Sequence, residues 1–137
     1  MSYNTIYKKE GCVKLNYNPE TGVIYVVWKS MFDQDLTRHV CEQALELVQN
    51  GAKVIIINLS KTKGAILEET QKWFQTYLFP GYVKAGLRAI INIDSEVPVV
   101  RMAAHTWIQK GAGFSFDMIA VNSRDEAAKV ASEYLSK

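Results

Sequence analysis

The sequence predicts an α/β domain with a largely parallel sheet, and two observations carry that prediction. The first is the run of β-branched residues at 54–57, which has no polar interruption and is typical of a strand buried on both faces. The second is the alternation of strand-like and helix-like segments after this run, because strand-helix-strand units place their strands parallel. The chain of 137 residues forms one domain, with its core at about residues 11–136.

An antiparallel hairpin is predicted at the start of the domain. Residues 11–18 carry apolar side chains at every second position, which is typical of a strand with one exposed face at the edge of a sheet. Pro19 and Gly22 suit a tight turn, and residues 23–28 are apolar throughout. The two segments are therefore expected to pair as neighbouring strands.

Four helices and three further strands are predicted after the hairpin. Asp33 is a suitable N-cap for the first helix, and Ser123 with Glu126 forms the capping box of the last one. Proline and glycine disfavour the interior of a helix, so Phe79-Pro80-Gly81 is expected to end the second helix. The predicted strands lie at 53–59, 87–93 and 114–121, and the helices run from Asp33 to Gly51, over 67–78, from Ser95 to Gly111 and from Ser123 onwards.

The composition argues against several classes of protein. A net charge of +2, from 16 basic and 14 acidic residues, does not indicate a nucleic-acid partner. Cys12 and Cys41 are far apart and belong to no cysteine–histidine cluster, so we expect reduced thiols, no metal site and no cofactor. No apolar run approaches the roughly 20 residues that cross a bilayer. We therefore expect a cytoplasmic protein without integral membrane association.

Three segments, together with the element order, carry a resemblance to a known family. The segments are KVIIINLS at 53–60, GLRAIINI at 86–93 and MIAVNSRDEAA at 118–128. The chain resembles the SpoIIAA-like group related to STAS domains, whose fold is shared with the Sec14 (CRAL-TRIO) lipid-binding domains. The resemblance implies that the parallel strands follow one another in sequence order, as successive turns of a β-α superhelix. With the elements predicted above, this gives a five-stranded, mostly parallel sheet in near-sequential strand order with four helices.

The loop beyond the central strand is the first candidate site. Ligands of parallel α/β proteins gather beyond the carboxyl ends of the strands, and this loop holds Ser60, Lys61, Thr62, Lys63 and Gly64. Two lysines near the start of a helix suit an anion, although a solvated loop explains the same residues. In STAS antagonists the loop carries an Asp-Ser-Ser-Gly-type motif whose serine is phosphorylated. This chain lacks that motif, so a regulatory role for Ser60 or Thr62 is a hypothesis from position.

An aromatic-rich stretch offers a second candidate site. Trp73, Tyr77, Phe79 and Tyr82 are predicted to supply an apolar interaction surface, although core packing must use some of the aromatic side chains in this region. The others would form a patch for a partner chain or the mouth of a hydrophobic pocket.

Several reactive side chains are interpreted as structural. His39 and His105 are expected on helix surfaces, with no partner suggested by their spacing. Cys41 suits the role of a small core residue better than that of a nucleophile. Asp117 is expected to face outward near a sheet edge. The chain has neither a Walker loop nor a dinucleotide-binding fingerprint.

Three functions remain open on this reading. The leading hypothesis is a non-enzymatic regulatory or protein-interaction module of the STAS-like type, with a protein partner or self-association as a homodimer. The first alternative is a binder of a small apolar or anionic ligand, at residues 73–82 or at the loop 60–64. The second alternative is a small enzyme that uses the same loop together with Asp94.

Overall fold

Six strands form one mixed sheet whose spatial order follows the order of the chain. The computed structural model describes residues 3–64, 67–96, 98–111 and 113–136, with the side chains of the helix at 98–111 described in part. The first three strands form an antiparallel meander and the last four are mutually parallel, which confirms the predicted α/β class. The strands are β1 (Asn4–Lys9), β2 (Val13–Asn18), β3 (Val23–Trp28), β4 (Val54–Asn58), β5 (Ala89–Ile93) and β6 (Asp117–Val121).

Helical segments connect the parallel strands. The predicted caps are present: Asp33 Oδ1 accepts a hydrogen bond from the Leu36 N–H at 3.1 Å, and Ser123 Oγ accepts one from the Glu126 N–H at 3.1 Å. The helices are α1 (Gln34–Gln49), α2 (Glu68–Trp73), α3 (Phe79–Ala85), α4 (Pro98–Gly111) and α5 (Arg124–Leu135), with a π-helical segment (Phe74–Leu78) between α2 and α3.

Strand β4 lies in the interior of the sheet, with a hydrophobic core on each face. Ile55 and Ile57 belong to the core that the sheet forms with α1 and the segment from α2 to α3, whereas Val54 and Ile56 belong to the core formed with α5. These four side chains are at most 7% exposed. The prediction that this strand is buried on both faces is therefore confirmed.

The edge of the sheet differs from the prediction, because β1 pairs with β2 and gives the sheet a sixth strand. β1 was missed because its side chains are almost all exposed, so it lacks the apolar alternation of a half-buried strand. The predicted exposed face of β2 is consequently covered in part: Asn16 is 8% exposed and donates to the Tyr25 carbonyl at 3.1 Å. Its Oδ1 accepts a hydrogen bond from Thr5 Oγ1 at 3.1 Å.

The second predicted helix does not end at Phe79-Pro80-Gly81, which is a correction to the sequence analysis. Helical structure continues through this tripeptide as α3 and ends at Ala85, with Gly86 in the left-handed conformation at φ 89°. The π-helical segment explains how proline is accommodated. There the Phe79 N–H bonds to the Phe74 carbonyl, five residues back, and this wider turn eases the clash that a proline ring makes with the carbonyl four residues before it.

The last two strands begin later than predicted. β5 starts at Ala89 and β6 at Asp117, so residues 114–116 form an irregular approach to the sheet edge. Phe114 and Phe116 instead pack edge-on against Phe79, with ring centroids 5.4 and 5.6 Å away. Their apolar character serves an aromatic cluster at α3 rather than a strand face.

Candidate functional site

The loop that follows β4 is held rigidly beside the end of β3. Asn58 Oδ1 accepts hydrogen bonds from the Ser60 N–H at 3.0 Å and from Ser60 Oγ at 2.7 Å. Thr62 is fully buried and donates from Oγ1 to the Trp28 carbonyl at 2.7 Å. The Lys63 N–H bonds to the Lys29 carbonyl at 3.0 Å, so the loop extends the parallel pairing of β3 and β4.

These contacts divide the predicted loop residues into two groups. Lys61 and Lys63 are exposed to solvent, and Ser60 is half-buried, so part of its surface is accessible. Thr62 points into the protein, where neither a kinase nor a ligand reaches its hydroxyl. The hypothesis of a phosphorylated hydroxyl is therefore confined to Ser60 in this conformation.

Gly64 ends the loop against an exposed phenylalanine that sequence reasoning missed. The glycine has φ +83°, and a Cβ at this position would lie 3.1 Å from two ring atoms of Phe32. The Phe32 ring thus packs on the loop, yet Phe32 remains 72% exposed. Leu67, at the start of α2, is 59% exposed. Exposed apolar residues are common, so what singles these two out is the contact of Phe32 with the loop and the hydrogen bond of the Leu67 N–H to Gln34, two residues after Phe32.

Gln34 ties together the two chain segments that carry Phe32 and Leu67. Its Nε2 donates to the Met31 carbonyl at 3.0 Å, and its Oε1 accepts from the Leu67 N–H at 3.2 Å. The same oxygen accepts from Thr70 Oγ1 at 2.7 Å. The Gln34 side chain therefore links the start of α1 to the start of α2. We call Phe32 and Leu67, with the loop 60–64 beside them, the rim surface.

The predicted aromatic surface is smaller than expected. Phe79 and Tyr82 are 1% and 3% exposed and belong to the hydrophobic core, so they form no surface. Trp73 and Tyr77 stack on each other with ring centroids 5.2 Å apart, and Tyr77 is 49% exposed. Only this pair of the four predicted residues is placed where another molecule could touch it.

An ionisable pair that the sequence did not suggest lies near the end of β5. His105 on α4 approaches Asp94 with an Nε2–Oδ1 distance of 3.2 Å. The interpretation of His105 as a residue without a partner is therefore corrected by the fold, which brings it against Asp94 across eleven residues. A carboxylate beside an imidazole occurs in general-base sites and also as a structural ion pair.

The Cys41 thiol and the Tyr134 hydroxyl are held in their protonated forms. Burial raises the pKa of the Cys41 thiol to about 12, which agrees with a packing role. Asp117 is exposed on the edge strand, as expected, and accepts a hydrogen bond from the Tyr134 hydroxyl. That hydrogen bond is the main reason that the pKa of Tyr134 is raised to about 12.

An apolar cavity lies between the sheet and α1 but is too small for a lipid. Its lining includes Trp28, Cys41 and Tyr82, and its volume is about 20 Å³. A space of this size is close to that of a single water molecule. The apolar-ligand alternative therefore gains no support from this cavity.

Within the residues that the structure describes, no group of three or more His, Cys, Asp or Glu side chains is arranged to hold a metal ion. No helix among these residues is both long enough and apolar enough to span a bilayer. Comparison of the chain with protein-family models and with curated proteins finds no match.

Proposed function

We propose that this protein is a non-enzymatic regulatory or protein-interaction module of the STAS-like type, which binds a partner protein through the rim surface. The observation that carries the proposal is the exposure of Phe32 and Leu67, at 72% and 59%, on segments that Gln34 links. Phe32 also packs on a loop that the buried Thr62–Trp28 hydrogen bond holds. Large apolar side chains on a rigid frame bind a partner with little loss of conformational entropy.

The charge around these two residues indicates the chemistry of the partner. Lys61 and Lys63 are exposed on the same loop, and Lys29 on the neighbouring segment is exposed as well. A partner with an apolar contact surrounded by acidic residues would match this pattern. The proposed partner is thus a protein with an acidic rim, rather than a nucleic acid.

The sequential order of the six strands supports the STAS-like part of the proposal. The family resemblance implied parallel strands that follow one another in chain order, and β3 to β6 are arranged in this way. The antiparallel β1 is an addition to that implied pattern. Fold likeness does not fix function, so the interaction itself needs a separate test.

Ser60 is the position at which such a module would be regulated. Its hydroxyl and its N–H both bond to Asn58 Oδ1, so a phosphate on Oγ would break this arrangement next to the rim surface. Intact-mass analysis of protein from native cells would then show a phosphorylated form that a Ser60→Ala variant lacks. Absence of this form under every growth condition would remove the regulatory part of the proposal.

Affinity capture from native lysate with matched variants tests the interaction. A specific partner should be retained by the unaltered protein and weakened by about tenfold or more in Phe32→Ser and Leu67→Ser, because central apolar contacts dominate interface energies. Val83→Ser is the control, since Val83 is 37% exposed on α3, away from the rim surface. Retention should also fall as salt rises.

The outcomes separate the proposal from its competitors. A partner that all three variants retain equally would show that the rim surface is not the binding site. Light scattering on the same variants would reveal whether the captured partner is a second copy of this chain. The proposal would be overturned if the protein is a monomer in solution and captures no protein whose retention is lost in Phe32→Ser.

A further inference from the structure

Four lysines line one cavity at the end of the antiparallel meander. The cavity has a volume of about 260 Å³ and is lined by Lys8, Lys9, Glu10, Gly11, Val13, Lys14, Val27 and Lys29. These residues come from β1, the β1–β2 turn, β2, β3 and the segment that follows β3. In the sequence they form no block of like charge; the folded sheet brings them together. We call this cavity the lysine pocket.

The register of the sheet places like charges directly opposite each other in this pocket. Lys8 on β1 is the cross-strand partner of Lys14 on β2, and Lys14 is in turn the partner of Val27 on β3. Lys29 lies one residue beyond the end of β3 and lines the same cavity. Like charges at such positions destabilise a sheet, so this arrangement is unfavourable for stability by itself.

The pocket contains little negative charge to offset the lysines. Glu10 pairs with Lys8 at 2.7 Å, and the nearby Lys8, together with Lys29 and Lys14, lowers the pKa of Glu10. In the described part of the chain no carboxylate forms an ion pair with Lys9, Lys14 or Lys29. The four lysines and one glutamate of the lining thus give a formal excess of three positive charges. Lys14 and Lys29 carry two of them beside the Lys8–Glu10 pair, and Lys9, the register partner of Val13, carries the third from the other sheet face.

We propose that the lysine pocket binds a ligand with two or more phosphate groups close together, as in a diphosphate ester or the headgroup of a phosphoinositide bisphosphate. Ammonium groups bind phosphate oxygens as mobile point charges, which suits a shallow cavity lined by flexible side chains. A single phosphate carries at most about two negative charges and would leave part of the excess unbalanced. Two adjacent phosphates match the formal charge of the lining.

The pocket adjoins the rim surface through the backbone. Lys29 accepts a hydrogen bond from the Lys63 N–H at 3.0 Å, so the pocket and the loop 60–64 occupy the same end of the sheet. Arg124 extends the positive charge on the sheet face that α5 covers, where it lies 4.9 Å above the ring of Tyr25. The proposal does not require a protein partner, and it stands if the rim surface binds none.

Calorimetric titration of the full chain with inorganic diphosphate tests the proposal. We expect binding that weakens with rising salt and is stronger than binding of inorganic monophosphate. The double variant Lys14→Ala/Lys29→Ala should lose affinity by roughly tenfold or more, because it removes two charge-assisted contacts. Glu10→Gln should raise affinity, since it removes the competing carboxylate. Lys84→Ala is the control for loss of a lysine elsewhere, at an exposed position on α3 outside the pocket.

Vesicle sedimentation distinguishes the two sources of the ligand. Phosphatidylcholine vesicles with and without a phosphoinositide bisphosphate are compared for the same variants. Vesicle binding that depends on Lys14 and Lys29 assigns the pocket to a lipid headgroup, whereas binding of diphosphate alone assigns it to a soluble ligand. The proposal is overturned if neither probe binds, if Lys84→Ala weakens binding as much as the double variant, or if only an oligonucleotide competes for the pocket.

A stability measurement checks the premise without any ligand. Because Lys8 and Lys14 oppose each other, Lys14→Thr should raise the unfolding temperature of the free protein, and added diphosphate should stabilise the unaltered chain more than the variant. If Lys14→Thr instead lowers the unfolding temperature, the claim that this cluster opposes folding is wrong. Lys14 is exposed, so we expect the Lys14→Thr variant to keep the fold in both measurements.

Discussion

At the scale of single residues, the loop beyond β4 depends on the buried hydroxyl of Thr62. This side chain is 0% exposed and bonds to the carbonyl of Trp28 at 2.7 Å. Thr62 was a candidate for regulation from its position in the loop alone, which presupposed an accessible hydroxyl. Only the position of β3 beside the loop turns it inward, and no local pattern signals that contact.

We expect Thr62→Val to destabilise the protein by roughly 1–2 kcal/mol, because it removes a buried hydrogen bond while preserving the shape of the side chain. Urea unfolding measures the change. Lys61→Ala, one residue away and exposed, is the control and should stay within about 0.5 kcal/mol of the unaltered protein. Equal stability of the two variants would show that the Thr62–Trp28 hydrogen bond does not hold the loop.

At the scale of elements, helix starts were more predictable than strand edges. The caps at Asp33 and Ser123 were read correctly, because capping is a short-range exchange of hydrogen bonds within one turn. β1 was not predicted, since its mostly exposed side chains leave no periodic pattern and its place depends on pairing with β2, a contact between separate segments. The passage of a helix through Pro80 depended on a π-helical turn that no composition rule indicates.

The Asp33 cap gives a prediction for α1. Asp33→Ala should cost about 1 kcal/mol in unfolding free energy, because the Leu36 N–H loses its side-chain acceptor and the helix loses a favourable charge at its N-terminus. Chemical denaturation is the measurement, with Glu42→Ala as the matched control at an exposed acidic residue within the same helix. A larger effect for Glu42→Ala than for Asp33→Ala would contradict the capping argument.

At the scale of the whole molecule, stability should fall from the middle of the sheet towards its edges. β4 is covered by strands on both sides and by a core on both faces, whereas β1 is an exposed edge strand. We therefore expect the amides of Ile55, Ile56 and Ile57 to exchange only on global unfolding, and those of β1 to exchange by local opening. Hydrogen exchange followed by NMR tests this order. Comparable exchange in β1 and β4 would contradict it.

The sequence by itself determined the fold class, the central strand and most element types, because periodicity, β-branching and capping are local consequences of residue type. The tertiary structure alone decided which chemistry-bearing residues meet. It placed Lys8, Lys14 and Lys29 around one pocket, brought His105 to Asp94 and buried Phe79, Tyr82 and Thr62. These contacts depend on strand register and on helix packing between segments that are distant in the chain. Local residue spacing therefore does not predict them.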